Sequence, residues 1–364
     1  MNRLSLDEVE DISRRMLVAG GASPLQADAT ARSIRDAEAE GIRTVGLSYL
    51  PTYCDHVACG KVDGTAVPVV SQPRPGTVVV DAGLGFCHPA FEAGEPTLVA
   101  AARANGIAVL VLTHSYSAGV LGWFVDRLAR EGLVAMMFAN SSALMAPHGG
   151  MRPFFGTNPI AWAAPRVDGP PVVADLSSSA VAWVKVNAAA QAGETIPLGW
   201  ALDADGNPTT DAQAALAGSM APSGGHKGSA LALLVDVMSG GVAGSNFSHE
   251  AGSFGGTADG PPDVGQVVIA IDPTATAGPA FLERLEHEFA ALAAEPGVRL
   301  PGDRRIAERA RAAADGVEVP DDLLAVLSTY AAHGSPEDAA AQHPNDRKSE
   351  NRREGVISAR YKYR

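Results

Sequence analysis

Cysteine is scarce in the 364-residue chain: Cys54, Cys59 and Cys87 are an odd set that cannot all pair. Four residues lie between Cys54 and Cys59, which is no common metal-ligand spacing, so the three read as free thiols in a reducing cytoplasm and no metal site is expected. An excess of positive charge is also missing. The 28 basic residues face 41 acidic ones, a net charge of −13, which argues against a nucleic-acid or anionic-membrane surface. No apolar run approaches the length of a membrane span, and residues 1–20 lack a basic start followed by an apolar centre. No G-x-G-x-x-G follows a predicted strand, so the Rossmann fingerprint is absent. Solenoid repeats are absent too. What remains is 46% hydrophobic and 19% charged, the balance of a globular protein with enough chain for one large domain or two ordinary ones.

Ser5-Leu6-Asp7-Glu8 forms a capping box ahead of Val9, Ile12, Met16 and Leu17 at helical spacing. Ser23-Pro24 opens a second helix, with serine as cap and proline in the first turn, and Gly41 ends this helical layer. β-branched or apolar runs predict strands at 77–81, 107–113, 133–139, 172–176 and 267–271. Phe281, Leu285, Phe289 and Leu292 share one face of a helix predicted over 279–294. Residues alone place the chain among mixed α/β proteins. Residues 335–364 mix charges without apolar periodicity and read as a mobile tail.

The most informative stretch runs from Asp175 to Gly228. A buried strand ends in Asp175-Leu176 and turns through Ser177-Ser178-Ser179 to Val181. Lys185 follows, and the stretch closes on Gly224-Gly225-His226-Lys227-Gly228 before an apolar run. Glycine lets backbone N–H groups approach a phosphate, helix N-termini add positive potential, and lysine supplies a point charge. Taken singly, each piece is as well explained by an ordinary turn or cap. Asn158, in Gly156-Thr157-Asn158-Pro159, either orients a ligand amide or holds a turn.

The order of these motifs resembles the malate/L-lactate dehydrogenase family of the second type over roughly residues 4–327. Gly-Thr-Asn-Pro, Asp263-Val264-Gly265 and Leu300-Pro301-Gly302-Asp303-Arg304 carry it further. The resemblance implies an NAD(H)- or NADP(H)-dependent reductase of 2-oxo acids or cyclic imines, working as a homodimer on a small molecule. It implies a non-Rossmann α/β fold with a largely antiparallel central sheet and a helical layer from both ends of the chain. The expected division is a helical segment over 1–75 with the substrate-side loop, a cofactor and catalytic sheet domain over 76–275, and a helical segment over 276–334 returning to the cofactor. Asp175 through Ser179, Val181 and Lys185, then His226-Lys227, then Gly302-Asp303-Arg304 match its cofactor contacts.

Departures from the family pattern concentrate on the substrate side. In Gly41-Ile42-Arg43-Thr44-Val45-Gly46-Leu47-Ser48-Tyr49-Leu50-Pro51, Thr44 stands where relatives carry serine and Val45 where they carry the proton-transfer histidine. Tyr49 replaces an arginine suited to clamp a carboxylate. Valine cannot move a proton, and tyrosine cannot make a charged bidentate grip. A second family histidine becomes Ser117, and Val184 replaces a glycine. Thr44, Tyr49, His114 and His148 are the candidate proton sources, with His88 as a further loop histidine. Asp203 matches a carboxylate that would orient the missing imidazole, or it simply begins an Asp-Ala-Asp-Gly turn. Val45, Ser117 and Asn158 would line the substrate pocket. The alternative to a reductase is a family member that has left redox chemistry, as a cyclase or a binding scaffold.

Overall fold

A computed structural model describes residues 2–333; the tail expected over 335–364 lies outside the described residues. Its centre is a mixed seven-stranded sheet in the spatial order Val69–Arg74, Thr77–Asp81, Ile107–Ser115, Val264–Ile271, Val134–Ala139, Ile160–Ala164, Val172–Leu176. Thr77–Asp81 and Ile107–Ser115 pair in parallel, and the other neighbours pair antiparallel. Side chains alternate across a strand. Leu110 and Leu112 therefore face the helices Cys87–Asn105 and Gly122–Arg130, in one core with Phe91, Leu98, Phe124 and Leu128. Val111 and Val267 face the other way, onto Val235 of the His226–Asp236 helix.

The helical layer starts as its caps dictate. The Ser5 hydroxyl accepts from Glu8 N–H while Glu8 reaches back to Ser5 N–H, and Leu6–Ala19 follows. Ser23 caps Pro24–Ala39. Both helices pack with Leu50–Ala58 and with Leu323 and Leu327 of the Asp321–His333 helix. Asn2–Leu4 pairs antiparallel with Val317–Val319, which joins the two ends of the described chain. A satellite lobe holds a three-stranded sheet and the helices Trp183–Ala192 and Ala212–Ala217 around Met145, Val186 and Met220. The apolar run after Gly228 is an α-helix only to Asp236; Val237–Val242 continues as a wider π-turn, with Gly240 packed on Phe247.

Candidate active site

Three segments far apart in sequence gather along the Val172–Leu176 strand, two of them at its end and the Gly302 turn against Val173 near its start. The serine turn lies against the Gly-Gly-His-Lys segment: Ser223 N–H donates to Ser178 O at 2.9 Å, and Ala180 N–H to Ala221 O at 2.8 Å. Gly228 sits so close that a Cβ there would stand 2.4 Å from Ser223 O and 2.7 Å from Ser178 O. Gly302, with φ +97°, packs on the same strand, where a Cβ would lie 3.2 Å from Val173 O. Asp175 accepts from Gly122 N–H at 2.9 Å and lies 3.8 Å from Arg305. Burial pushes its carboxyl above the usual range, against the pull of Gly122 N–H and Arg305.

These residues fit a dinucleotide. Gly224 and Gly225 hold left-handed φ of +60° and +63° into a helix whose first turn has no side-chain cap; Gly228 N–H there donates to Ser223 O at 2.8 Å, which leaves the His226 and Lys227 end of the turn for an anion. His226 and Lys227 are exposed there, and Arg304 is exposed just after the Gly302 turn. Within the turn, Ser178 donates to Asn158 O at 2.7 Å, Ser179 to Val181 O at 2.7 Å, and Ser177 to Thr157 O at 3.1 Å. The serines thus shape the turn through their protons, and the outermost, Ser177, is exposed with Leu176 beside it. Val181 is buried in the satellite core, while Lys185 is exposed on the Trp183–Ala192 helix. Asp303 accepts from Leu300 N–H at 3.0 Å and fixes the turn before Arg304. Beside Gly302 a cavity of about 310 Å³ opens between Gly122, Val173, Arg305 and Arg309, room for a nucleobase or ribose. Arg305 Nη1 is buried there without a hydrogen-bond partner, 3.9 Å from Glu40.

In the loop expected to face the substrate, Arg43–Val45 forms one 3-10 turn, with Thr44 exposed and Val45 half-buried. Tyr49 donates its hydroxyl to Phe254 O at 3.0 Å and packs edge-on against Tyr53, ring centroids 4.8 Å apart. Burial pushes its phenol up to about 12, although the Tyr116 hydroxyl pulls the other way. Two further buried donors hold the same strap: Lys61 Nζ to Ser253 O at 2.9 Å and His56 Nε2 to Gly256 O at 3.0 Å. His56 Nδ1 meets the Tyr116 hydroxyl at 2.5 Å, and burial lowers the imidazole to about 4.

The remaining candidates are dispersed. His114, at φ +50°, pairs its Nδ1 with Asp263 at 3.0 Å. His148 is exposed, and its ring lies against Gly225 and His226. His88 is buried between Trp123 and Phe124 with neither ring nitrogen partnered. Asp203 accepts from Asp205 N–H at 3.0 Å and Asn207 N–H at 2.9 Å, closing its own turn. Ser117 accepts from Gly119 N–H at 3.3 Å. Asn158 is fully buried, donating to Ala232 O at 2.9 Å and accepting from Ser248 at 3.0 Å, in a network centred on Asp236. Sequence reading missed Glu38, His56 and Lys61, for which no motif exists. The hint at Glu38 is a carboxylate on the inner side of an otherwise alanine-rich helix face.

The family model for malate/L-lactate dehydrogenase matches residues 4–328. A (2R)-3-sulfolactate dehydrogenase (NADP(+)) of Chromohalobacter salexigens is 44% identical over 329 residues, covering 90% of this chain and 98% of its own. The Delta(1)-pyrroline-2-carboxylate/Delta(1)-piperideine-2-carboxylate reductase of Pseudomonas syringae pv. tomato is 40% identical over 331 residues, 91% of this chain and 96% of its own. The crystal structure of a delta1-piperideine-2-carboxylate reductase from that organism superposes with a TM-score of 0.87, covering 91% of this chain and all of the other. With matching motifs, matching fold and identity at this level, the chain belongs to the malate/L-lactate dehydrogenase family.

Proposed function

We propose that the protein is an NAD(P)H-dependent reductase whose substrate is a cyclic imine rather than a simple ketone. The dinucleotide would lie across the serine turn, the start of the His226–Asp236 helix and the Gly302 turn, supplying hydride when bound. Lys227 and the uncapped helix turn would hold its phosphates, and the cavity beside Gly302 its adenosine end. This assigns residues 76–275 to cofactor and catalysis, 1–75 to the substrate-side loop and 276–334 to the returning cofactor contact.

One observation carries the choice of imine: valine stands at the proton-donor position, and the two candidate acids Tyr49 and His114 are engaged elsewhere, while Thr44 and His148 lie exposed. Tyr49 donates to Phe254 O, His114 pairs with Asp263, and Asp203 closes its turn. A protonated iminium accepts hydride without an enzyme acid at that step, whereas a ketone oxygen needs a proton as charge develops. Relatives named for pyrroline- and piperideine-2-carboxylate reduction support the imine class, and the sulfolactate dehydrogenase keeps 2-oxo acids as the comparison. The test follows loss of reduced-nicotinamide absorbance with a five- or six-membered cyclic 2-imino carboxylate, against pyruvate and oxaloacetate. The imine should be turned over and the oxo acids slowly. Rapid oxo-acid reduction would overturn the substrate class. Failure to bind either dinucleotide would favour the second reading, a cyclase or binding scaffold, which the replacement of the family histidine by Val45 supports.

A homodimer is part of the same proposal. Leu231, Leu233, Leu234, Val237 and Val242 are 44–54% exposed along one helix and its π-turn, an apolar face suited to a second copy. Light scattering on the full chain tests it.

A further inference from the structure

One buried ionisable group under the substrate-side loop has no part in the reading above. Glu38, in the last turn of Pro24–Ala39, is only 2% exposed. Its Oε1 accepts from Leu47 N–H at 2.7 Å, and its Oε2 is buried without a partner. A Cβ on Gly46 would stand 2.2 Å from Oε1 and 2.8 Å from Cδ, so the carboxyl occupies the space of a side chain at residue 46. The loop that bears Val45 and Tyr49 is thus seated on a carboxyl. Its other ties are neutral or peripheral: Ser48 to Arg43 O, Tyr49 to Phe254 O, and Arg43 to Glu318 O.

The two protonation states of such a group are not equivalent. A neutral acid can still accept the Leu47 N–H, and its unpartnered buried oxygen costs less than an unpaired buried charge would. A carboxylate at the same place has one N–H donor, where stable buried carboxylates take two or three. The charged group facing it from the packed elements is the Arg43 guanidinium, whose attraction is weaker than the cost of burial. Burial raises the Glu38 carboxyl to about 7, with Leu47 N–H and Arg43 pulling downward.

We propose that Glu38 is a positioning residue for the Arg43–Tyr49 loop, seating it as the neutral acid and loosening it on ionisation. The inference rests on the reductase reading only in taking this loop as the substrate side.

Hydrogen exchange tests it on the full chain without any substrate. After correction for the intrinsic pH dependence, protection of the 43–50 segment should fall by up to about tenfold per pH unit above neutrality. In Glu38→Gln, where an amide oxygen still accepts Leu47 N–H and no charge can form, protection should be independent of pH. Equal pH dependence in both proteins, or none in the wild type, overturns the proposal. A carbon-13 titration of the Glu38 carboxyl, read beside the Leu47 amide shift, covers the case in which Glu38→Gln folds poorly. A shared midpoint near neutrality supports the proposal, and a Glu38 midpoint in the ordinary carboxylate range overturns it. With an imine substrate, the wild-type to Glu38→Gln ratio of kcat/KM should fall above neutrality, since the substrate's own ionisation cancels. Absence of turnover would sink the reductase reading alone and leave the exchange result to decide this one.

Discussion

Tyr49→Phe separates an anchoring phenol from a catalytic one. The substitution removes a single atom, the hydroxyl that donates to Phe254 O at 3.0 Å, and leaves the edge-on packing against Tyr53 in place. A neutral hydrogen bond contributes about 1 kcal/mol net, and the half-buried carbonyl left behind adds a desolvation cost, for a total of about 1–2 kcal/mol. In a chain of this size that lowers Tm by only about 1–3 °C, measurable by scanning calorimetry. With the phenol pushed up to about 12, the hydroxyl is a weak acid at neutral pH and is already spent on the strap. Turnover of a cyclic imine by Tyr49→Phe should therefore stay within about tenfold of wild type, through loosening of the 253–256 strap. A general acid is worth about 10²–10⁴-fold. A hundredfold loss of kcat, with Tm and dinucleotide affinity unchanged, would put the phenol in the proton path and refute the reasoning.

Lys227→Ala should weaken dinucleotide binding by about 1–3 kcal/mol in a calorimetric titration, as for loss of a charged hydrogen bond; unchanged affinity would remove the helix start from the site. Val45→His with Tyr49→Arg and Val184→Gly should produce 2-oxo-acid reduction absent from the parent. Its absence in a folded, cofactor-binding variant would mean a pocket remade beyond those positions. His88→Phe preserves the stack on Phe124 and removes a group that burial lowers to about 3. Since a depressed imidazole contributes stability above its unfolded value near 6.5 and loses it as pH falls, wild-type stability should decline below pH 6.5. Urea midpoints for His88→Phe should decline less steeply over the same range, and parallel curves would exclude His88 as a cause.

Patterns that depend on neighbours in the chain were legible without coordinates. The Ser5 capping box, the Ser23-Pro24 helix start and the strand at 77–81 follow from local hydrogen bonding and β-branched sterics. The motif order around Asp175, His226 and Gly302 identified the family for the same reason, since a backbone turn that cradles a ligand demands particular small residues in sequence. Contacts between distant segments were not legible. Nothing about Asp203 tells whether its carboxylate faces a pocket or its own turn, because both need the same residue type. Only the packed chain shows it accepting from Asp205 and Asn207. Tyr49 reads as a lost clamp in sequence, yet its partner is the carbonyl of Phe254, 205 residues away. Glu38 belongs to an unremarkable helix until folding lays Gly46 on its carboxyl, and burial then changes its acidity. Residue type sets what a group can do; the desolvation and partners that decide whether it does so exist only once the tertiary structure has formed.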